Sequence, residues 1–501
     1  MADLATPRQD WFRQRNILFI AIAVGALLRL AVVPLPIIYF PDEIWQYMEP
    51  ARHLAGGRSV VPWEFREGLR SWLVPAMLAP AAMLGEWLAT GSQLPVLLQR
   101  LLLAAASLGI IASAAALGLR ISRLHGLFSA LVAASWFELV YFAPRPLSES
   151  LSLAFVFPAL YLLTLPAERK TRRIMAVAGA VLGLAFCIRL QLAPALFVLA
   201  AFGCGRRLRR GWLPLAAGGA AALMLAGAVD LLAGEMPFAW MARNFTVNLI
   251  EGRSEQYGTG AWHWYLRNAW YIYGFALFPG LFLALIGAKR YPAIFWSAIT
   301  NLAVHSAIPH KEARFMLFSG VLLVVLAAIG TADVLQRLSR RWPGAVSPPA
   351  IAAAALLWIG VSATCAFTQP FLREWQRGRE VVQAQAAAAA APSPCGLGLL
   401  RLWSMPSGAY TFYNRDTPMY LFVGPDADRR MQVTSQAFNL LIAVEGLRVP
   451  PNYQLKRCFE AGPNARGPLP RFCLYQRPGI CVDSPQARQE EINAVLRRIG
   501  H

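Results

Sequence analysis

His310-Lys311-Glu312-Ala313-Arg314-Phe315 sets four ionisable side chains between two apolar runs of membrane-spanning length. A charge at bilayer depth costs roughly 3 kcal/mol on insertion scales, so such a cluster belongs at the water interface or in a polar cavity that uses it. Lys311 and Arg314 can pair with Glu312 or with lipid phosphate. As a ligand site the same residues read as an anion site, because Lys and Arg at a helix start give charge-assisted donors to a phosphate.

Other chemically capable residues lie apart in sequence. Pro41-Asp42-Glu43-Ile44-Trp45-Gln46 puts two adjacent carboxylates just after an apolar run. The helix dipole favours acids in a first turn, but a carboxylate beside apolar surface also has raised proton affinity and is suited to take a proton from a hydroxyl. Trp63, Glu64, Arg66, Glu67 and Arg70 follow in the same loop. Next come Arg145-Pro146-Leu147-Ser148-Glu149, then Arg189 and Gln191 inside an apolar run. An arginine at a span end can snorkel to headgroups, and for Arg145 that reading stands level with a functional one. Arg189 falls on the side of the membrane that basic residues avoid, so a buried anionic partner is expected for it. Trp262, His263, Trp264 and Tyr265 read either as an interfacial aromatic belt or as flat faces and a hydrogen-bonding imidazole for a sugar or lipid. No glycine loop for a nucleotide, no metal-ligand spacing and no nucleophile elbow is present, so no metal or cofactor is expected, and dependence on a divalent metal stays open.

The elements that position these residues are membrane helices. The chain has 501 residues, 57% hydrophobic and 15% charged, and its apolar runs recur at about 20 residues, the length of a bilayer crossing. The spans expected are 17–38, 95–119, 124–142, 148–166, 174–191, 192–204, 213–233, 264–288, 291–308, 314–334 and 349–369. With a cytoplasmic N-terminus, every dense basic cluster falls on one side: Arg8/Arg13/Arg15, Arg120/Arg123, the 169–173 and 206–210 runs, Lys289/Arg290 and Arg337/Arg340/Arg341. That orientation explains the net charge of +20 and excludes nucleic acid as its cause. Counting 71–90 as a span would invert the pattern, so it is expected as an interfacial or re-entrant helix. Two domains follow: a membrane domain at 1–369 and a small α+β domain at 370–501 on the non-cytoplasmic side. The latter has short strands expected at 395–400, 437–444, 453–459 and 471–476. Its cysteines, Cys395, Cys458, Cys473 and Cys481, suit one or two disulfides in an oxidising compartment, with three pairings open.

The ordered boxes resemble glycosyltransferase family 22, multi-pass mannosyltransferases of the GT-C superfamily that use dolichyl-phosphate mannose in glycosylphosphatidylinositol-anchor and N-glycan precursor assembly. The resemblance rests on His310-Lys311-Glu312-Ala313-Arg314-Phe315 as the family's HKExRF box, on Pro41-Asp42-Glu43 with Trp63-Glu64 and Arg70-Ser71, on Arg145-Pro146-Leu147-Ser148-Glu149, and on Gly260-Ala261-Trp262-His263-Trp264-Tyr265. It implies a GT-C fold and an inverting transfer of mannose, or a similar sugar, from a polyprenyl phosphate to a glycolipid or glycan hydroxyl on the non-cytoplasmic face. Asp42 would be the general base, with Glu43 orienting the acceptor or sharing that role. Arg189, His310, Lys311 and Arg314 would bind the donor phosphate, and Trp63, Glu64, Arg70, Arg145, Trp262, His263 and Tyr265 would line the donor and acceptor pocket. Pro146 departs from the family's threonine in its box, and the C-terminal region carries no family motif. Arginine supplies 43 of the 47 basic residues, as in a GC-rich bacterial gene, which would make the active face periplasmic; in a eukaryote it would be lumenal. Transfer of a different sugar is the rival within enzymes. A lipid or sugar transporter is the rival outside them, disfavoured because no inverted repeat is visible and the charges gather on one face.

Overall fold

The computed structural model describes residues 7–402, 408–460 and 471–500, with side chains from residue 15 onward. The side chains of Arg8 and Arg13, counted above in the basic asymmetry, lie outside the described residues.

Each of the eleven expected crossings is helical, and the protein is an integral membrane protein. Six spans are long and apolar enough to cross a bilayer: Arg15–Val32, Leu94–Leu119, Leu208–Leu232, Trp264–Ala288, Ala313–Ser339 and Pro348–Phe367. The other five are shorter helices, Arg123–Ser135, Ser148–Leu163, Arg172–Ile188, Ala193–Cys204 and Pro292–Ala307. Residues Leu73–Leu88, expected to be interfacial or re-entrant, also form a helix.

The chain forms two compact units, Met1–Val33 with Leu103–Phe371, and Pro34–Leu102 with Leu372–His501. The expected boundary after 369 lies two residues from the passage at Phe371, but the first loop groups with the C-terminal residues instead of the membrane helices.

In the first unit, small residues let helices meet backbone to backbone. A Cβ on Gly179 would strike the Leu215 carbonyl, and one on Gly218 that of Ala176, so Arg172–Ile188 packs directly on Leu213–Leu232. Gly287 and Gly330 do the same between Leu277–Ala288 and Leu317–Ser339. Such contacts replace the hydrophobic effect that lipid cannot supply between helices.

The second unit is built on a five-stranded sheet, β1 Leu397–Leu400, β2 Met419–Phe422, β3 Leu440–Val444, β4 Gln454–Phe459 and β5 Phe472–Gln476. The order is β2-β1-β3-β5-β4, with β2, β1 and β3 parallel and the last two pairings antiparallel. Four of the strands answer the expected ones, and β2 is additional. The cysteines pair as Cys395–Cys481 and Cys458–Cys473, while Cys187, Cys204 and Cys365 are free and buried. Ile38, Ile44, Met48 and Val60 from the first loop share one apolar core with Leu397, Leu399, Tyr410, Leu440 and Ile492.

Candidate active site

Within the second unit, the acidic pair sits where extended chain turns into helix. Arg100, buried, donates to the carbonyls of Leu35 and Ile37 at 2.8 Å each, and Ile38 N–H reaches Arg377 O at 2.9 Å, fixing the approach. Asp42 then caps a π-helical segment, Glu43–Met48, a geometry often found at functional positions. Glu43 is fully buried, and its Oε1 accepts the backbone N–H of Tyr39 at 2.6 Å and of Phe40 at 3.3 Å. It therefore holds the turn, whereas Asp42 is only partly buried.

Arg70 joins this group. Its Nε and Nη2 donate to Glu64 Oε1 at 3.1 and 2.8 Å, and Gln46 Nε2 donates to the same oxygen at 3.3 Å. Against the cost of its burial, Glu64, Tyr47 and Asp42 all stabilise the Arg70 cation. Trp63 opens the short helix Trp63–Arg66 that carries Glu64.

Within the first unit, the basic residues are tied by carboxylates. Arg189 ends Arg172–Ile188 with an extended backbone, and Pro194 restarts the chain as Ala193–Cys204, so the guanidinium projects from a helix break. Its Nη1 lies 2.8 Å from Glu149 Oε1 and donates to Ser148 Oγ at 3.1 Å. Glu149 stands in the first turn of Ser148–Leu163, where the dipole favours an acid. The anionic partner expected for Arg189 is thus present in the chain itself. Arg314 Nε lies 3.3 Å from the same Glu149 oxygen and also pairs with Glu312 Oε2. Glu312 Oε1 in turn lies 2.9 Å from His310 Nε2. The result is a chain of alternating charge, Arg189, Glu149, Arg314, Glu312, His310.

His310 Nδ1 donates to Gly258 O at 2.8 Å, so both ring nitrogens face acceptors and the imidazolium is favoured. The hydrogen bond to Glu312 raises the His310 pKa against the opposing effect of burial. Burial alone would push the Glu312 carboxyl up, but Arg314 and His310 overcome it and hold it down at about 2. Lys311 turns away from this chain. Its Nζ donates to the carbonyls of His305 and Ser306 at 2.9 Å each and to that of Ile308, capping Pro292–Ala307. Gly260 makes room for it, since a Cβ there would lie 2.9 Å from Lys311 Cγ.

Around these lie the remaining expected residues. Tyr265 is fully buried with Lys311 Nζ 5.5 Å from its ring centre. Arg145 is fully buried over the Tyr141 ring at 5.0 Å, so snorkelling does not describe it. Trp262 and His263 are exposed and stack edge to face at 5.4 Å. Sequence reasoning did not single out His305 or give Glu149 its role as the shared counterion. The signal for His305 was a polar pair, Asn301 and His305, four residues apart inside an apolar run.

Residues 18–373 match the model of the Alg9-like mannosyltransferase family. The human GPI alpha-1,2-mannosyltransferase 3 is 26% identical over 302 residues, covering 56% of this chain and 51% of its own. The Bos taurus protein of the same name is 27% identical over 299 residues, covering 56% and 52%. The chain thus spans about half the length of these curated relatives. Among solved structures, ArnT from Cupriavidus metallidurans bound to undecaprenyl phosphate superposes with a TM-score of 0.58 at 13% identity, over 93% of this chain and 99% of that one. Its apo form gives 0.57 at 14% identity, over 91% and 97%. At such identity the likeness is one of fold, and it agrees with the GT-C architecture expected from the boxes. With His310, Glu312 and Arg314 of the HKExRF box built into one charge network and the family's span covering the membrane helices, the chain belongs to the Alg9-like mannosyltransferase family.

Proposed function

We propose that this protein is an inverting mannosyltransferase that moves the sugar of a polyprenyl-phosphate donor to a hydroxyl of a glycolipid or glycan on the non-cytoplasmic face of the membrane. The observation that carries this reading is the cationic chain of Arg189, Arg314 and His310. Pre-set cations stabilise a departing phosphate more than the intact donor, and no reorganisation is needed when charge develops. Family membership supports mannose as the sugar, and the fold shared with a protein that holds undecaprenyl phosphate supports a lipid-linked donor.

Asp42 takes the acceptor hydroxyl proton while the acceptor oxygen bonds to the anomeric carbon. The bond from that carbon to the phosphate oxygen breaks, the phosphate keeps the electron pair, and configuration inverts. Glu43 supports Asp42 by fixing its turn. Arg189, Arg314 and His310 receive the phosphate, with Lys311 holding the helix end from which they are presented. Trp63, Glu64 and Arg70 of the second unit, and Arg145, Trp262, His263 and Tyr265 of the first, are assigned to donor and acceptor binding. No resident metal or cofactor enters the proposed reaction.

The test uses the purified full chain, synthetic polyprenyl-phosphate mannose and, as acceptor, glycolipid extracted from cells lacking the gene. Asp42→Asn is expected to abolish transfer while leaving donor binding intact. Undiminished transfer by that variant would remove Asp42 from the base role.

A further inference from the structure

Phe315 is the centre of the cluster in a literal sense. Arg189 Cζ lies 4.9 Å and Arg314 Cζ 5.7 Å from its ring centroid, and the rings of His305 and His310 lie at 5.3 and 5.7 Å. Of these four polar neighbours, Arg189, Arg314 and His310 belong to the charge chain and His305 stands outside it. Arg189 and His305 each retain a polar atom with no hydrogen-bond partner among the described residues: Arg189 Nη2 and His305 Nε2. Both residues are deeply buried, at 6% and 3% exposure, where an unpaired polar group is unfavourable.

The tautomer of His305 follows from its other nitrogen. Nδ1 lies 2.9 Å from Asn301 O, which only accepts, so Nδ1 carries a hydrogen. In the neutral ring Nε2 is then a lone-pair acceptor, while Arg189 Nη2 is a donor. A bare phosphate oxygen offers lone pairs alone and satisfies only the arginine. A hydroxyl offers what each lacks, a hydrogen for an acceptor such as Nε2 and lone pairs for a donor such as Nη2.

Resting on the proposed function, we infer that His305 is a substrate-contacting residue of the donor site, where with Arg189 it binds a hydroxyl of the donor sugar beside the phosphate. His305 thereby distinguishes the sugar-loaded lipid from the bare lipid phosphate that remains after transfer. This gives the site a means to prefer substrate over product, which a purely cationic phosphate site lacks.

Two ligands separate the possibilities: polyprenyl-phosphate mannose and bare polyprenyl phosphate, each titrated against the full-length protein in detergent. In His305→Asn the amide stands where Nδ1 stood and nothing reaches the place of Nε2; in His305→Gln the amide reaches that place. His305→Asn is expected to bind the mannose-loaded lipid about tenfold more weakly with bare-lipid affinity unchanged, and His305→Gln to recover most of the loss. His305→Phe, which keeps ring volume, supplies the same comparison if the asparagine variant melts early. Equal weakening for both lipids, or no change for either, would overturn the inference. Failure of the wild-type protein to bind either lipid would instead overturn the proposed function on which it rests.

Discussion

Arg189 and Arg314 share a single carboxylate oxygen, lying 2.8 and 3.3 Å from Glu149 Oε1. Two buried guanidinium groups are thus held together by the acid between them. Removing one member of a buried ion pair leaves uncompensated charge and costs about 3–5 kcal/mol. Glu149→Gln is expected to lower the melting temperature and to weaken bare polyprenyl-phosphate binding, read by calorimetry and lipid titration. A variant as stable and as tight as wild type would show that the two arginines do not depend on Glu149.

The His310 and Glu312 pair sets a pH window for the stability of the first unit. His310 is raised above 6.5, so its contribution is complete below 6.5 and is lost as pH rises through its folded value. Glu312 is lowered from 4.5 to about 2, so its contribution is complete above 4.5 and is lost as pH falls through its folded value. Melting of the first unit should therefore be steady from 4.5 to 6.5 as far as this pair contributes, and decline at higher pH. His310→Gln should abolish the alkaline decline. Persistence of that decline in the variant would assign it to another group.

Glu49 gives the second unit a slope of the same sign as that of His310. Burial pushes its carboxyl up from 4.5 to about 7, although Thr411, the Val60 N–H and Arg52 all favour the charged form. Its oxygens accept from Thr411 Oγ and Val60 N at 2.7 Å each. A raised carboxyl stabilises the fold while protonated, so the benefit is complete below 4.5 and fades as pH rises to about 7, on the order of 3 kcal/mol at full extent. Glu49→Gln can keep Val60 on its oxygen and turn its amide to the Thr411 hydroxyl. Melting of this variant should therefore be flatter with pH than that of wild type, and equal slopes would refute the assignment.

The two disulfides should differ in worth. Cys395–Cys481 closes 86 residues and Cys458–Cys473 closes 15. The chain-entropy model gives about 4.6 kcal/mol for the longer loop and about 3 kcal/mol for the shorter. Replacing Cys395 and Cys481 by serine should therefore lower the stability of the sheet more than replacing Cys458 and Cys473, as followed by denaturant unfolding. The reverse order would mean that local packing, not loop closure, decides their contributions.

The helices were legible because lipid demands about twenty apolar residues without interruption, and that pattern is local. Arg189 was legible as a misplaced charge, and its need for a buried anion was correct in kind. That the anion is Glu149, forty residues earlier, depends on how Ser148–Leu163 packs, which no local period encodes. The strand β2 was missed because Asn414, Asp416 and Pro418 precede it and read as a turn. The grouping of 34–102 with the C-terminal sheet was missed for the same reason as Glu149: it is a matter of long-range burial. Lys311 looked like a phosphate ligand by charge and position, while its three carbonyl partners come from the end of the preceding helix.

The core that joins Ile38, Ile44 and Met48 to Leu397, Leu440 and Ile492 has a consequence for how the protein is made. The first loop leaves the ribosome early, yet the core shared by its apolar side chains is not complete until the last strands arrive. The turn that presents Asp42 must then wait, through the synthesis of ten later helices, for the far end of the chain. A chain truncated near residue 370 would keep every membrane crossing and lose the partner on which that turn packs. The C-terminal residues are in this sense a late-arriving clamp on the turn that carries Asp42.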